Sequence, residues 1–465
     1  MRGWLQRGML VALVFGACWG GAVWYWRATN RMPAGGDLAL YLLALPLALL
    51  FSLWLGRRLV VAAAAPAAVA APDNAPAPVP AVVRPAPLAI VDAAVRVPRG
   101  ASPTELAEAF AEHQARAALD PELVDADGFP AMTARSADAV APGVQEEISA
   151  WLAANGMADV AFSAAQWRAL TLASAVASDL GSAAAVALLP ADGAPPPLRL
   201  IALMPTDWPS AQRGAARAWL RHTVAQFGWP DSLVVLDAEL PTEAHEAGVT
   251  GQLRRLGAAA AQATNAASAT PLVAILLACG SQLEQATVDA WHDAGSLFTA
   301  SRPQGMIPGE GAAGLLLADL AQARAHPELA FTLLHGASEG RHERSSDGAA
   351  RADSALLAAL AAEALATAAA DAADVALIVA DTGHRANRVL ELVGAAGIAA
   401  PGLDAAADVL RIGAAGGHCG AVPLTTALAL AHDQALARGA PVLCISNEDP
   451  HHRCAALIGP AAFAS

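Results

Sequence analysis

Residues 271–279 read Pro-Leu-Val-Ala-Ile-Leu-Leu-Ala-Cys, with nothing in the run that needs water. The run is too short to cross a membrane, which takes about 20 apolar residues. It also lacks the apolar–polar alternation of a strand that is wet on one face. A strand buried on both faces is left, and such strands belong to layered folds in which helices cover both sides of a sheet. The flanking sequence agrees. Strand-like runs at 198–204, 232–237, 314–317, 329–334, 374–380, 409–412, 441–446 and 454–458 alternate with helical periodicity at 104–119, 144–155, 211–227, 251–264, 354–370, 385–393 and 422–438. This alternation predicts an α/β fold with a mostly parallel sheet. The pattern over 120–200 leaves most of that stretch unassigned.

The front of the chain is different. Residues 8–26 and 38–56 are two uncharged apolar runs, each close to the length of a membrane-crossing helix. Trp24, Tyr25 and Trp26 close the first run, as aromatic rings at a headgroup layer do. No small-residue cleavage site follows it, so two retained spans are expected rather than a signal peptide. Arg2, Arg7, Arg57 and Arg58 flank the pair, against Arg27 and Arg31 between them. That bias places both chain ends in the cytoplasm. Residues 61–99 carry Pro66, Pro72, Pro76, Pro78, Pro80, Pro85 and Pro87 and read as a semi-rigid tether. The expected layout is membrane hairpin 1–60, linker 61–99 and α/β domain 100–465.

Composition removes several chemistries. All 28 basic residues are Arg. A Schiff-base lysine and a Walker-type phosphate loop are therefore excluded, since both need a primary amine. The net charge of −14 with a basic front end leaves an acidic soluble part, which disfavours nucleic acid as a partner. The five cysteines, Cys18, Cys279, Cys419, Cys444 and Cys454, have no disulfide or CxxC spacing and read as reduced thiols. No cofactor and no metal site is expected.

Three segments carry more than pattern. Pro308-Gly309-Glu310-Gly311-Ala312-Ala313-Gly314 follows the end of the 271–279 strand by about 30 residues and resembles the "GEGA" turn and strand of β-ketoacyl synthases. Val379-Ala380-Asp381-Thr382-Gly383-His384-Arg385-Ala386-Asn387 resembles the synthase strand–loop–helix that normally bears a catalytic His. Gly416-Gly417-His418-Cys419-Gly420-Ala421 resembles the "GH..GA" opening of a long helix. The resemblance implies a thiolase-like fold: two related α/β halves packed together, with a boundary near 320–350. A homodimer through a central strand is an assembly the resemblance allows.

The same resemblance brings out what is missing. A condensing enzyme needs a nucleophilic Cys at the start of the helix before the 271–279 strand, where the helix terminus lowers the thiol pKa. No Cys lies between Cys18 and Cys279, and the region 243–250 offers only His245 and Thr250. Asp381 stands at the first His position, with His384 three residues on. His418 matches the second His. The candidate residues of a vestigial site are thus Asp381, His384, His418 and Cys419, with Cys279 or Cys419 the thiols for a rearranged one. Gly336-Ala337-Ser338-Glu339-Gly340 matches a nucleophile elbow, but a polar loop rather than a helix follows it. His451 and His452 are adjacent and diverge if extended. Trp208 and Trp229 read as core.

The expected function is a membrane-anchored, non-catalytic interaction module. Its layout resembles that of adaptors that bring lipase effectors to the spike of bacterial type VI secretion. That resemblance implies a protein partner, either a lipase effector or a secretion spike protein. The alternatives are an acyl-thioester enzyme and an acyl-ligand sensor.

Overall fold

The computed structural model describes residues 19–20, 27–28, 86–190, 194–237, 248–265, 271–348 and 352–461. The chain divides into a unit 1–81 and a unit 82–465. Apart from residues 19–20, the two apolar runs lie outside the described residues, as does 61–85 of the proline-rich stretch, and the predicted membrane hairpin falls there with them.

The second unit begins earlier than the sequence predicts. Leu88–Arg96 forms strand β1, inside the segment assigned to the linker. Of its nine residues only Asp92 is exposed, and it sits at a bulge in the pairing with a later strand. Helix α1 (Pro103–Ala111) follows, with Ser102 capping the Glu105 amide and Pro at its first turn. It stops eight residues short of the predicted end: His113 takes a left-handed backbone, and the chain turns into strand β2 (Ala118–Val124), paired with β3 (Pro130–Thr133) in a separate two-stranded ribbon. Helix α2 (Pro142–Ala154) leads to α3 (Ala164–Leu188), which opens on a reciprocal Ser163–Gln166 capping box. Among the described residues α3 is the one helix long and apolar enough to cross a membrane, yet most of that stretch is buried in the core of this unit. The rest of the first half is β4 (Leu198–Leu203), α4 (Ser210–Ala225), β5 (Val234–Leu236), α5 (Val249–Asn265), β6 (Val273–Ser281), α6 (Gln285–Asp293) and β7 (Glu310–Ala318).

Short helix α7 (Leu320–Arg324) joins the halves. The second half runs β8 (Thr332–Leu334), β9 (Ser338–Arg341), α8 (Ala355–Thr367), β10 (Leu377–Ala380), α9 (Ala386–Ala399), β11 (Val409–Arg411), α10 (Ile412–Gly416), α11 (Val422–Arg438), β12 (Val442–Ser446) and β13 (His452–Pro460).

The main sheet has the order β11-β10-β12-β13-β8-β1-β7-β6-β4-β5, with β9 on β13. The order is a palindrome. From either end, the first two pairings are parallel and the next two antiparallel. Two halves of the same topology thus meet at the β1–β8 seam, itself antiparallel. The sheet is mixed and not mostly parallel, because each half ends in a strand that returns directly beside its predecessor.

β6 is covered on both faces, as its composition demands. Ala274, Leu276 and Ala278 join the layer holding α5 and α11. Val273, Ile275, Leu277 and Cys279 pack under α3 and α4 on the other side. In the second half α8 and α9 cover the corresponding outer face. Helix α9 mixes polarity: Arg388 and Glu391 are buried beside Leu392 and Ala395, while Leu390 and Ile398 are 64% and 65% exposed. Trp208 and Trp229 are core, as read from sequence.

Candidate functional site

Glycines bring the three motif segments together. A Cβ on Gly309 would collide with the carbonyl oxygen of Gly416, and one on Gly413 with that of Asp381. Gly417 has φ +65°, a conformation that side chains disfavour. With no side chains intervening, the His418 amide donates to the Ile307 carbonyl at 2.8 Å and Gly309 N–H donates back to the His418 carbonyl at 3.2 Å. The strand-opening turn of the first half is thereby fastened to the helix-opening loop of the second.

Glu310, which begins β7, is buried and fully engaged. Its carboxylate accepts from Arg168 Nε at 2.7 Å, the Ser136 amide at 2.7 Å and Ser281 Oγ at 3.1 Å. This buried pair ties α3 to the strand.

Asp381 leaves the end of β10 and is buried. Three donors from the closing segment converge on it: Ser446 Oγ at 2.5 Å, the Asn447 amide at 2.9 Å and the Glu448 amide at 3.2 Å. Thr382 Oγ1 donates to Asn447 Oδ1 at 2.5 Å. Gly383 N–H donates to Glu448 Oε2 at 2.8 Å, and Arg385 Nη2 reaches Glu448 Oε1 at 2.8 Å. The closing segment is thus bolted to the loop after β10. Glu448 and Arg385 were not among the residues singled out from the sequence, although Arg385 lies in the quoted 379–387 segment; they are 63 positions apart and their pairing leaves no local signal.

Burial pushes the Asp381 carboxyl up to about 6 from the usual 3.8, against the pull of its three donors. The folded protein holds this proton more tightly than the unfolded chain. The stability it supplies is full below pH 3.8 and fades as pH rises through about 6. Burial pulls the His432 imidazole the other way, to about 4, and that group's stabilisation grows with pH instead. Asp381→Asn is expected to remove the first slope and keep the second. Urea unfolding of both proteins between pH 4.5 and 7 checks this; parallel stability curves would refute it.

His384 and His418 both feel the charges of Glu448 and Arg385. Burial lowers the pKa of each, which keeps the imidazoles neutral. The His384 ring meets Phe298 edge-on at 5.0 Å, and its buried Nε2 has no hydrogen-bond partner. The His418 ring lies 5.8 Å from Trp291. Cys419 is buried beside a cavity of about 10 Å³ that Glu310, Val422 and Thr426 also line, room for one water. Burial raises its thiol pKa strongly, and pushes that of Cys279 up to about 12. Cys279 faces Met204, with 3.3 Å between the sulfurs, on the α3–α4 side of the sheet, whereas Cys419 packs on the α5–α11 side. The two thiols pack on opposite faces, yet Cys279 is near enough to add to the upward shift of Cys419. Cys444 and Cys454 are buried too, with raised pKa values.

The sheet's palindrome makes α5 the counterpart of α11. The residues before α5 hold the place in the first half that His418 holds in the second. Of that region, His245 lies outside the described residues; Thr250 is half-buried in the first turn of α5. Ser338 opens strand β9 on β13 and is not at a strand-to-helix elbow, which removes the nucleophile-elbow geometry. The His451 and His452 amides both donate to Asp449 Oδ1. No cluster of three metal-ligating side chains occurs among the described residues.

No family model and no curated protein matches this chain. Solved structures do. An oxazolomycin ketosynthase domain from Streptomyces albus is 15% identical, with a TM-score of 0.53 over 81% of this chain and 75% of that one. The ketosynthase from module 6 of the bacillaene synthase of Bacillus subtilis is 12% identical, with a TM-score of 0.52 over 80% and 72%. A type II polyketide ketosynthase, solved in complex with its acyl-carrier protein, is 12% identical, with a TM-score of 0.54 over 81% of this chain and all of that one. At such identities the likeness concerns architecture alone, and the chain folds as the ketosynthases do, in the thiolase-like manner.

Proposed function

We propose that this protein is a non-condensing, protein-binding version of the ketosynthase fold. It is held at the inner membrane by its N-terminal apolar runs and recruits a lipase effector for type VI secretion. The observation that carries the first part is the bolt on Asp381. At the place where the family's first His would donate to an acyl oxygen, a carboxyl group is occupied by Ser446, Asn447 and Glu448. A carboxylate cannot donate a hydrogen bond, and three of the roughly four acceptor positions of this one are taken. The thiols give the same support. Those described are buried and have raised pKa values, the reverse of an activated nucleophile. A fold that keeps its shape while its reactive groups become structural retains its surfaces. The ketosynthase solved with its carrier protein supports protein docking as within this fold's repertoire.

Two measurements test the proposal. In the native protein at pH 7.5, iodoacetamide is expected to label the buried thiols at least about 100-fold more slowly than in denaturant. A thiol that reacts rapidly, and is protected by acyl-CoA, would restore the acyl-thioester enzyme as the better reading. Coexpression with a type VI lipase effector is expected to yield a complex that survives affinity purification; no complex at micromolar concentration would overturn the adaptor role.

A further inference from the structure

The β2–β3 ribbon stands beside a hollow of about 180 Å³ lined by Pro98, Arg99, Arg116, Leu119, Asp120 and Arg135, among others. Three arginines line this one concavity. They do not play the same part. Arg135 is consumed at the floor, where its Nε and Nη2 each reach Asp120 at 2.9 Å and its Nη1 lies 3.3 Å from Glu122. Asp120 also accepts from Thr133 Oγ1 at 2.6 Å and from the Glu122 and Leu123 amides. Those donors outweigh its burial and hold its carboxyl down at about 2. The floor is therefore saturated and leaves Arg135 no positive charge to offer a ligand.

Arg99 and Arg116 remain. Both are exposed, and among the described residues neither has a carboxylate partner. Arg99 is presented by a fixed turn: Val97 and Gly100 exchange amide–carbonyl bonds of 3.0 and 3.1 Å, and Gly100 packs closely on Leu106. Next to the two cations, Leu119 is 64% exposed at the rim, and Phe129, farther along the same ribbon, is 67% exposed.

We infer that this hollow docks an acidic segment of a protein partner, with an apolar side chain seated against Leu119 and carboxylates on Arg99 and Arg116. Charge complementarity selects the occupant. Acidic segments are repelled by the net charge of this chain and find at this rim two exposed guanidinium groups without carboxylate partners, where bidentate pairing is available. The open hollow and the apolar rim favour a peptide over a lone small anion, since a small ion would leave Leu119 and Phe129 unused. The inference rests on the protein-binding reading above and names the surface that reading requires.

The test uses full-length protein in mild detergent and a fluorescein-labelled 12-residue peptide of Glu, Asp and two Leu. A Lys-for-acid version of the peptide and inorganic phosphate serve as comparison probes. The acidic peptide is expected to bind, more weakly at 200 mM than at 50 mM salt. R99E/R116E is expected to weaken binding at least about tenfold, with unchanged circular dichroism because both side chains are exposed. L119S is expected to weaken it less. No binding by the wild type, equal binding by R99E/R116E, or saturation by phosphate without peptide binding would each overturn the proposal. The lipase pull-down separates the two levels. Equal capture by wild type and R99E/R116E removes this surface and keeps the adaptor. Arg99- and Arg116-dependent peptide binding without lipase capture keeps the surface and removes the adaptor.

Discussion

Arg453→Met is expected to destabilise the protein by about 3–5 kcal/mol, the range for stripping one partner from a buried ion pair. Arg453 is fully buried on β13, and its Nε and Nη2 hold Glu391 of α9 at 2.5 and 2.9 Å. Its remaining donors reach Ser346 Oγ and the carbonyls of Asp449 and His452. Glu391 is itself 3% exposed, and its other contacts, His342 Nε2 at 3.3 Å and Asn447 Nδ2 at 3.4 Å, are too long to replace a guanidinium. The variant would bury a bare carboxylate. R453M/E391L removes both charges and is expected to recover most of the loss. Urea unfolding of the three proteins at pH 7 decides the matter: a loss under about 1 kcal/mol in the single variant would mean that water reaches Glu391.

Gly309→Ala is expected to cost about 3 kcal/mol or more, at or beyond the upper end for overpacking. The obstacle is the Gly416 carbonyl, which is backbone and cannot rotate away. Relief would require the GEGA-like turn to lift from the His418 loop, breaking the amide–carbonyl exchange between Gly309, Ile307 and His418. Gly402→Ala is the control, because open space surrounds that position. Thermal melts of the two variants should separate clearly; coincident melts would show that the two motifs are not clamped together.

Much of this architecture was legible because its determinants are local. The 271–279 run announced a strand covered on both faces. The family resemblance carried by the glycine motifs implied two packed halves, and the close approach at Gly309 and Gly413 depends on the residue type at each position. Three failures have physical causes. β1 follows seven prolines and carries Asp92 at mid-strand, so it reads as the tail of a tether; its burial comes from β7 and β8, distant in sequence. α1 was drawn too long because Arg116-Ala117-Ala118-Leu119 suits a helix, while pairing with Thr133 and Met132 makes its end a strand. α9 was cut short at 393 because Arg388 and Glu391 share its buried face with Leu392 and Ala395 while Leu390 and Ile398 are exposed, which blurs the stripe used to find helices. The candidate site divides in the same way. Asp381, His384 and His418 were found through their motifs. The bolt that engages Asp381 and the Arg385–Glu448 pair join residues more than sixty positions apart, a pairing that spacing does not record.

The position of β1 also sets a clock. It is the first element of this body to leave the ribosome, yet Ala89 pairs with Ala318 and Leu88 with Leu334. Translation at about 5–20 residues per second leaves that strand waiting roughly 10–50 s for its neighbours. Throughout that interval an apolar segment with unmet backbone donors trails the nascent chain, the period in which a holding chaperone has most to do.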